Sequence, residues 1–238
     1  LIPFIKLSSI YKKNFIYVLA YGLLIGLGLY PLMYLSLEYT LSTSSIILVM
    51  QLSIPIGIIL GSILLGEIVS NLRWLLIGLV IFGLILICFD PVVLNSKLSL
   101  LLGILAAISY GTASMISKKI NKFNSLEVNC WMALVSFPLM LILVYFFERQ
   151  ELLVIFNHPW KSYTPALYSG VVISCIAQVL MLWLYRYYEI KTVLPFYSLF
   201  PIFGILLTII LLGERISLII ILGSLIVISG NFFLQKIK

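Results

Sequence analysis

The stretch from Pro201 to Gly230 reads PIFGILLTIILLGERISLIIILGSLIVISG, and an imperfect copy, PIGIILGSILLGEIVSNLRWLLIGLVIFG, runs from Pro55 to Gly83. Each copy has a proline, a long apolar run, an LLGE turn and a second apolar run with glycines. The two glutamates, Glu67 and Glu214, lie 147 residues apart. Runs of this length without charge suit a bilayer and not a water-facing surface. The repeat is therefore predicted to be a pair of membrane-spanning helices joined by a tight turn and used twice.

The whole chain agrees. Of its 238 residues 63% are hydrophobic and 10% charged, more apolar surface than a soluble protein of this size can hide. The net charge of +7 would suggest nucleic acid in a soluble domain. Here the basic residues fall mainly in short loops beside apolar runs, as orientation signals do. Cys88, Cys130 and Cys175 lie in or at the edge of apolar runs, with no ligand-like spacing to one another or to His158. They read as small buried hydrophobes, so no metal, redox centre or cofactor is expected.

Eight spans are predicted, roughly over residues 15–37, 43–65, 74–90, 98–117, 128–147, 165–185, 192–212 and 218–234. Gly22 and Gly26 in the first, and Gly103, Ala107 and Gly111 in the fourth, form smooth stripes for close helix packing. The longest polar connection, ERQELLVIFNHPWKSY after the fifth span, holds an apolar piece too short to cross but suited to the membrane surface. Lys and Arg divide eleven to four between alternating sides, which places the eleven-charge side, and the C-terminus with it, in the cytoplasm. Glu67 then lies on the cytoplasmic side and Glu214 outside, because five crossings separate them. That relation is an inverted-topology repeat, the arrangement from which secondary transporters build alternating gates around a midplane site. A five-helix unit expects two further spans ahead of the first, giving ten. Residues 1–97 are then the last three spans of the first unit, and residues 98–238 the five spans of the second.

Two longer stretches resemble the EamA-type family of the drug/metabolite transporter superfamily: MYLSLEYTLSTSSIILVMQLSIPIGIILGSILLGE from Met33 to Glu67, and MLWLYRYYEIKTVLPFYSLFPIFGILLTIILLGERIS from Met181 to Ser217. In each, an aromatic-rich helix end, a short turn with small residues, a proline-bearing helix and LGE precede a glycine-bearing helix. The resemblance implies ten spans in two inverted halves, both termini cytoplasmic, and passage of amino acids, nucleobases, S-adenosylmethionine or similar metabolites. It also places the chain in a cell membrane, taken as a bacterial inner membrane. The copies depart from each other in register: the proline stands twelve residues before Glu67 but thirteen before Glu214, and the next glycine follows by eleven at Gly78 but nine at Gly223.

Transport breaks no bonds, so the residues sought are polar and aromatic side chains inside the spans, where each needs a partner and a substrate is one. These are Tyr30 and Tyr34, Gln51 and Ser53, Tyr110 and Ser114, Trp131, Gln178 and Trp183, and Tyr197 and Ser198. Each has a bland counterpart, a structural interhelical bond or an interfacial aromatic belt. Pro55 and Pro201 read as kinks, either gating or fixed. In the LLGE turns Gly66 and Gly213 are expected to release one helix, while Glu67 and Glu214 satisfy amides at the start of the next.

No carboxylate falls in the middle of a span, so exchange or facilitated movement fits as well as proton coupling. An enzyme is a poor rival, with no histidine cluster, clustered intramembrane acids or serine triad. The reading is a secondary transporter of a small polar or amphipathic metabolite in a lipid bilayer, without nucleic acid. The alternative is a membrane small-molecule sensor or helical scaffold.

Overall fold

The computed structural model describes residues 14–120, 123–150, 159–193, 196 and 199–236. The connection over 151–158, with its apolar piece and His158, and the candidates Tyr197 and Ser198 lie outside the described residues. All regular structure among the described residues is helical. The helices are α1 (Phe15–Glu38), α2 (Thr43–Leu65), α3 (Asn71–Cys88), α4 (Lys97–Ile120), α5 (Ser125–Phe147), α6 (Thr164–Tyr187), α7 (Leu199–Leu212) and α8 (Leu218–Lys236). Short helices, Pro91–Asn95 and Ile190–Val193, precede α4 and α7.

Helices α1 to α6 are long and apolar enough to cross a membrane; α7 and α8 carry shorter apolar stretches, Leu199–Leu212 and Leu218–Leu234. Two starts fall three residues ahead of the expected ones because polar caps, not hydropathy, set them. Ser70 Oγ accepts from Arg73 N at 3.4 Å to start α3, and Asn124 Oδ1 accepts from Leu126 N at 3.0 Å to start α5.

The chain divides into two compact units. The first comprises Leu1–Leu27 and Ile116–Tyr187. Here the opening turns of α1 pack on α5, and the small-residue stripe is what allows it. A Cβ on Gly22 would lie 3.1 Å from Met132 Cα, and one on Gly26 would overlap the Ser136 side chain. Ser136 Oγ sits 3.1 Å from the Gly22 carbonyl and 2.6 Å from that of Met132, tying the two helices by a hydroxyl at the crossing.

The second unit comprises Gly28–Met115 and Tyr188–Lys238. Its tightest pair is α3 with α8. A Cβ on Gly83 would stand 3.1 Å from the Gly223 carbonyl and one on Gly223 3.0 Å from the Gly83 carbonyl, so the two backbones touch where both lack a side chain. The stripe on α4 serves as expected: Gly103 faces Ser36, Ala107 is fully buried, and Gly111 lies against Ile56 and the Ser53 carbonyl. Ser36 and Ser99 clamp α1 to α4 reciprocally, each hydroxyl donating to the other's carbonyl at 2.7 and 2.6 Å.

Both LLGE turns have the same form. Gly66 and Gly213 have φ of +70° and +64°, a conformation that costs glycine nothing. The following amides return six residues, Glu67 N to the Gly61 carbonyl at 3.3 Å and Glu214 N to that of Thr208 at 3.4 Å. Both helices thus end on a left-handed glycine cap. The prolines stand alike too, each third in its α-helical segment, in Ser53–Leu65 and Leu199–Leu212. A tight 3-10 turn, Met50–Leu52, precedes Ser53. The missing N–H of Pro55 thus falls where 3-10 geometry gives way to α-helix within α2.

Candidate functional site

Three polar clusters stand within the apolar helices, and each is treated inside its own unit. In the second unit Gln51 on α2 and Asn231 on α8 are both fully buried, and Asn231 Nδ2 donates to Gln51 Oε1 at 3.3 Å. Asn231 Oδ1 is buried with no hydrogen-bond donor among the described residues. Asn231 is not among the residues expected from sequence; it sits one residue beyond the repeat, where the first copy has Leu84. An asparagine within an apolar run was the available signal.

The other candidates described in this unit stand on α1, α2 and α4. Ser53 is buried and returns its hydroxyl to the Met50 carbonyl at 2.7 Å; Ser114 does the same to Tyr110 at 2.9 Å. Gly111, between Tyr110 and Ser114, touches the Ser53 backbone, so these residues of α2 and α4 share one contact. Tyr110 is buried, whereas Tyr30 is half-buried and Tyr34 is 51% exposed.

The second cluster surrounds Glu214, and here the structure departs from the expected role. The glutamates do not cap the helices that follow them. Ser217 caps α8, its Oγ accepting from Ile220 N at 3.2 Å, as Ser70 caps α3. Glu214 instead reaches the N-terminus of α2. Its Oε1 accepts from Ser42 Oγ at 2.5 Å, both oxygens lie 3.2 to 3.3 Å from Ser44 N, and Ser44 Oγ is 3.0 Å from Oε2. A carboxylate there meets the free amides and positive end of a helix from a segment 170 residues away. The Ser44 and Thr208 hydroxyls are 2.6 Å apart, and Thr208 Oγ1 is 2.9 Å from the Ile205 carbonyl.

Glu214 borders a cavity of about 370 Å³ that also receives Thr40, Asp90, Arg215 and Ser217. Asp90 is fully buried; Val92 N donates to Oδ1 at 2.9 Å and Ser217 Oγ donates to Oδ2. Glu67 is placed differently. Its Oε2 is buried beside Gly61, the position matching Thr208, and has no hydrogen-bond donor among the described residues. Its charge and that of Glu189 attract the Arg73 guanidinium.

The third cluster belongs to the first unit. Gln178 on α6 is buried, and its Nε2 donates to the Tyr21 hydroxyl on α1. Asn129 Nδ2 donates at 2.7 Å to the Ser174 carbonyl, which lies in a π-helical stretch, Ser169–Ala177. Asn129 Oδ1 and Trp131 Nε1 are buried without hydrogen-bond partners among the described residues. The Trp131 ring meets Phe15 edge-on at 4.9 Å. Trp183 does not join this cluster; it is 48% exposed and packs on Tyr187 at 5.0 Å. Tyr21 and Asn129 are not among the residues expected from sequence.

A second π-helical stretch, Leu24–Leu29, interrupts α1. In the register that aligns Met33 with Met181 it falls opposite the one in α6. The two aligned stretches of sequence therefore depart from α-geometry at matching positions, which similarity of composition does not require.

The model of the EamA-like transporter family matches residues 97–235, more than half of the chain. A relative from Bacillus subtilis (strain 168), named as an uncharacterized transporter, YoaV, is 24% identical over 234 residues, which cover 95% of this chain and 78% of that protein.

Proposed function

This chain belongs to the EamA-like transporter family, and on that premise we propose that it is a secondary transporter of a small polar or amphipathic metabolite, working by alternating access. Membership makes it a multi-pass membrane transporter; the substrate class and the mechanism are our reading. The observation that carries it is a set of hydrogen-bonding atoms buried in apolar helices without partners among the described residues. Asn231 Oδ1 lies in the second unit, and Asn129 Oδ1 and Trp131 Nε1 lie in the first. Each such atom carries a desolvation penalty of roughly 1–3 kcal/mol, which a substrate with matching polar groups offsets.

Gln51, Ser53, Tyr110 and Ser114 in the second unit, and Trp131 and Gln178 in the first, are the substrate-facing residues in this reading. Tyr30 and Tyr34 on α1, Trp183 on α6, and Tyr197 and Ser198 complete the candidate set. An inverted pair of repeats, with ten spans in the complete arrangement and the C-terminus in the cytoplasm, accounts for the matched turns, prolines and π-helical stretches of the two copies. Pro55 and Pro201, each third in its α-helical segment, are then the positions where the gates bend.

The test is flux. Protein purified into liposomes is loaded with a panel of amino acids, nucleobases and S-adenosylmethionine, and uptake and counterflow are followed. Saturable, substrate-specific counterflow supports the carrier. Saturable binding without flux sinks transport and leaves a membrane sensor.

A further inference from the structure

The two LLGE turns share one backbone form, but their glutamates end in opposite conditions. The Glu214 carboxylate is seated: Ser42 Oγ donates to Oε1 at 2.5 Å, Ser44 Oγ donates to Oε2 at 3.0 Å, and Ser44 N lies 3.2 to 3.3 Å from both oxygens. All of these donors belong to the cap and opening turn of α2, and none to the helices that Glu214 joins. Hydrogen bonds to a charged group are the stronger kind, and these hold the α7–α8 turn to the start of α2. Glu67 Oε2, by contrast, is buried with no donor among the described residues. A carboxylate oxygen in that condition has lost its hydration without replacement, so Glu67 is poised for a contact that it does not make here.

The repeat points to where that contact lies. The two glutamates, Gly61 and Thr208, and the capping serines Ser70 and Ser217 are each 147 residues apart. The same step carries Ser42 and Ser44 to Glu189 and Lys191, so the serine seat of Glu214 is replaced by charged residues in the other copy. Gly61 brings that segment beside Glu67. A Cβ on it would stand 3.2 Å from Glu67 Oε2 and 4.0 Å from Ile190 Cδ1. The Arg73 guanidinium, on a buried residue, is attracted by both Glu67 and Glu189. It is the cation that lets the one carboxylate settle near the other. All of these residues belong to the second unit.

We infer that Glu214 and Glu67 are two latches of one conformational switch, engaged one at a time, with the Glu214 latch closed on α2 in this structure and the Glu67 latch open. In the opposite state Glu214 leaves Ser42 and Ser44, and the end of α7 parts from the start of α2. The Ser44 and Thr208 hydroxyls, 2.6 Å apart here, separate with them. Glu67 then closes on the segment at Glu189 through Arg73. A pair of plain helix ends gives no reason for one carboxylate oxygen to be buried and unsatisfied while its counterpart is fully seated. The inference rests on the transport reading and its inverted repeat, and deepens it by naming the contact that keeps the outer side shut.

The test needs no substrate. Spin labels are attached at Leu41→Cys and Leu218→Cys, both exposed positions, with Cys88, Cys130 and Cys175 changed to alanine, and distances are measured in lipid nanodiscs. The short distance of this structure is expected to dominate. Glu214→Ala should raise the population at longer distance by about tenfold, the equivalent of one charged hydrogen bond. Adding Glu67→Ala to Glu214→Ala should reverse much of that rise, because the opposite state then loses its own latch. Ser44→Ala, which keeps the carboxylate and Ser42, should give a rise of about threefold.

An unchanged distance distribution in Glu214→Ala overturns the proposal, and so does a rise that Glu67→Ala leaves in place or enlarges. If Glu214→Ala does not fold, an unchanged distribution in Ser44→Ala overturns it. Saturable flux with unaltered distances removes the latches and keeps the transport reading. Distances that change as described in a protein without flux remove the transport reading and keep the latches.

Discussion

Gln51 and Asn231, 180 residues apart in sequence, meet side chain to side chain at 3.3 Å, and both are fully buried. In lipid no water replaces a lost partner, so such a pair fixes the pairing of α2 with α8.

That bond is expected to behave as a coupled pair. Gln51→Leu and Asn231→Leu alone should each lower stability by about 1–3 kcal/mol, because one buried amide then faces hydrocarbon. The double variant should recover part of the loss, with a coupling of roughly 0.6–1.7 kcal/mol. Unfolding of the four proteins in mixed micelles measures it; strict additivity would show that the contact carries no energy.

For Gln178 the partner decides what is expected. Gln178→Leu should weaken substrate binding by about fivefold, the equivalent of one hydrogen bond, and leave the helical fold intact. Tyr21→Phe removes the hydroxyl that receives the Gln178 amide and should shift affinity in the same direction. Binding titrations once a substrate is found decide the matter. Unchanged affinity in both variants would assign the bond to packing alone.

At the crossing of α3 and α8 the limit is steric. An added Cβ at Gly223 would stand 2.4 Å from Ile87 Cγ1 and 3.0 Å from the Gly83 carbonyl, and the latter, being backbone, cannot swing aside. Gly223→Ala is expected to cost about 1–3 kcal/mol through forced separation of the helices, and Gly223→Val more. Thermal stability in detergent reads this, with Gly78→Ala, whose added Cβ meets nothing within 4 Å, as the neutral comparison.

The turn glycines offer a case in which space plays no part. Neither Gly66 nor Gly213 has an atom within 4 Å of an added Cβ, yet both have positive φ. Gly66→Ala and Gly213→Ala should each cost about 1–2 kcal/mol from backbone conformation alone, with asparagine milder than alanine. Equal penalties in thermal unfolding would support a common turn; a large difference would show that one turn relaxes.

Much of this architecture is legible in the residues because membrane helices are specified locally. A run of apolar residues buries its own backbone hydrogen bonds, so hydropathy marked the six helices long enough to cross and the two shorter apolar ones, though the seventh, expected over 192–212, is described as a helix only over Leu199–Leu212. LLGE marked both turns, since only glycine takes positive φ without cost and nothing later in the chain is needed to see it. The small-residue stripe on α4 was equally plain, because Gly103, Ala107 and Gly111 recur at the spacing of one helical face.

Partners were another matter. Gln51 and Gln178 were visible as amides in apolar runs, but their partners Asn231 and Tyr21 were not marked by any spacing. Glu214 was visible as the end of LLGE and pointed to the helix that follows it. The structure gives that helix its own serine cap and turns Glu214 toward Ser42, Ser44 and Thr208. The sequence by itself determined that this chain is a set of apolar helices with two matching turns, because that information is contained in a few turns of chain at a time. Only the tertiary structure decided which buried polar groups meet, because a side chain sealed from water bonds to whatever a neighbouring helix brings within 3 Å, and helix packing sets that neighbour from more than a hundred residues away.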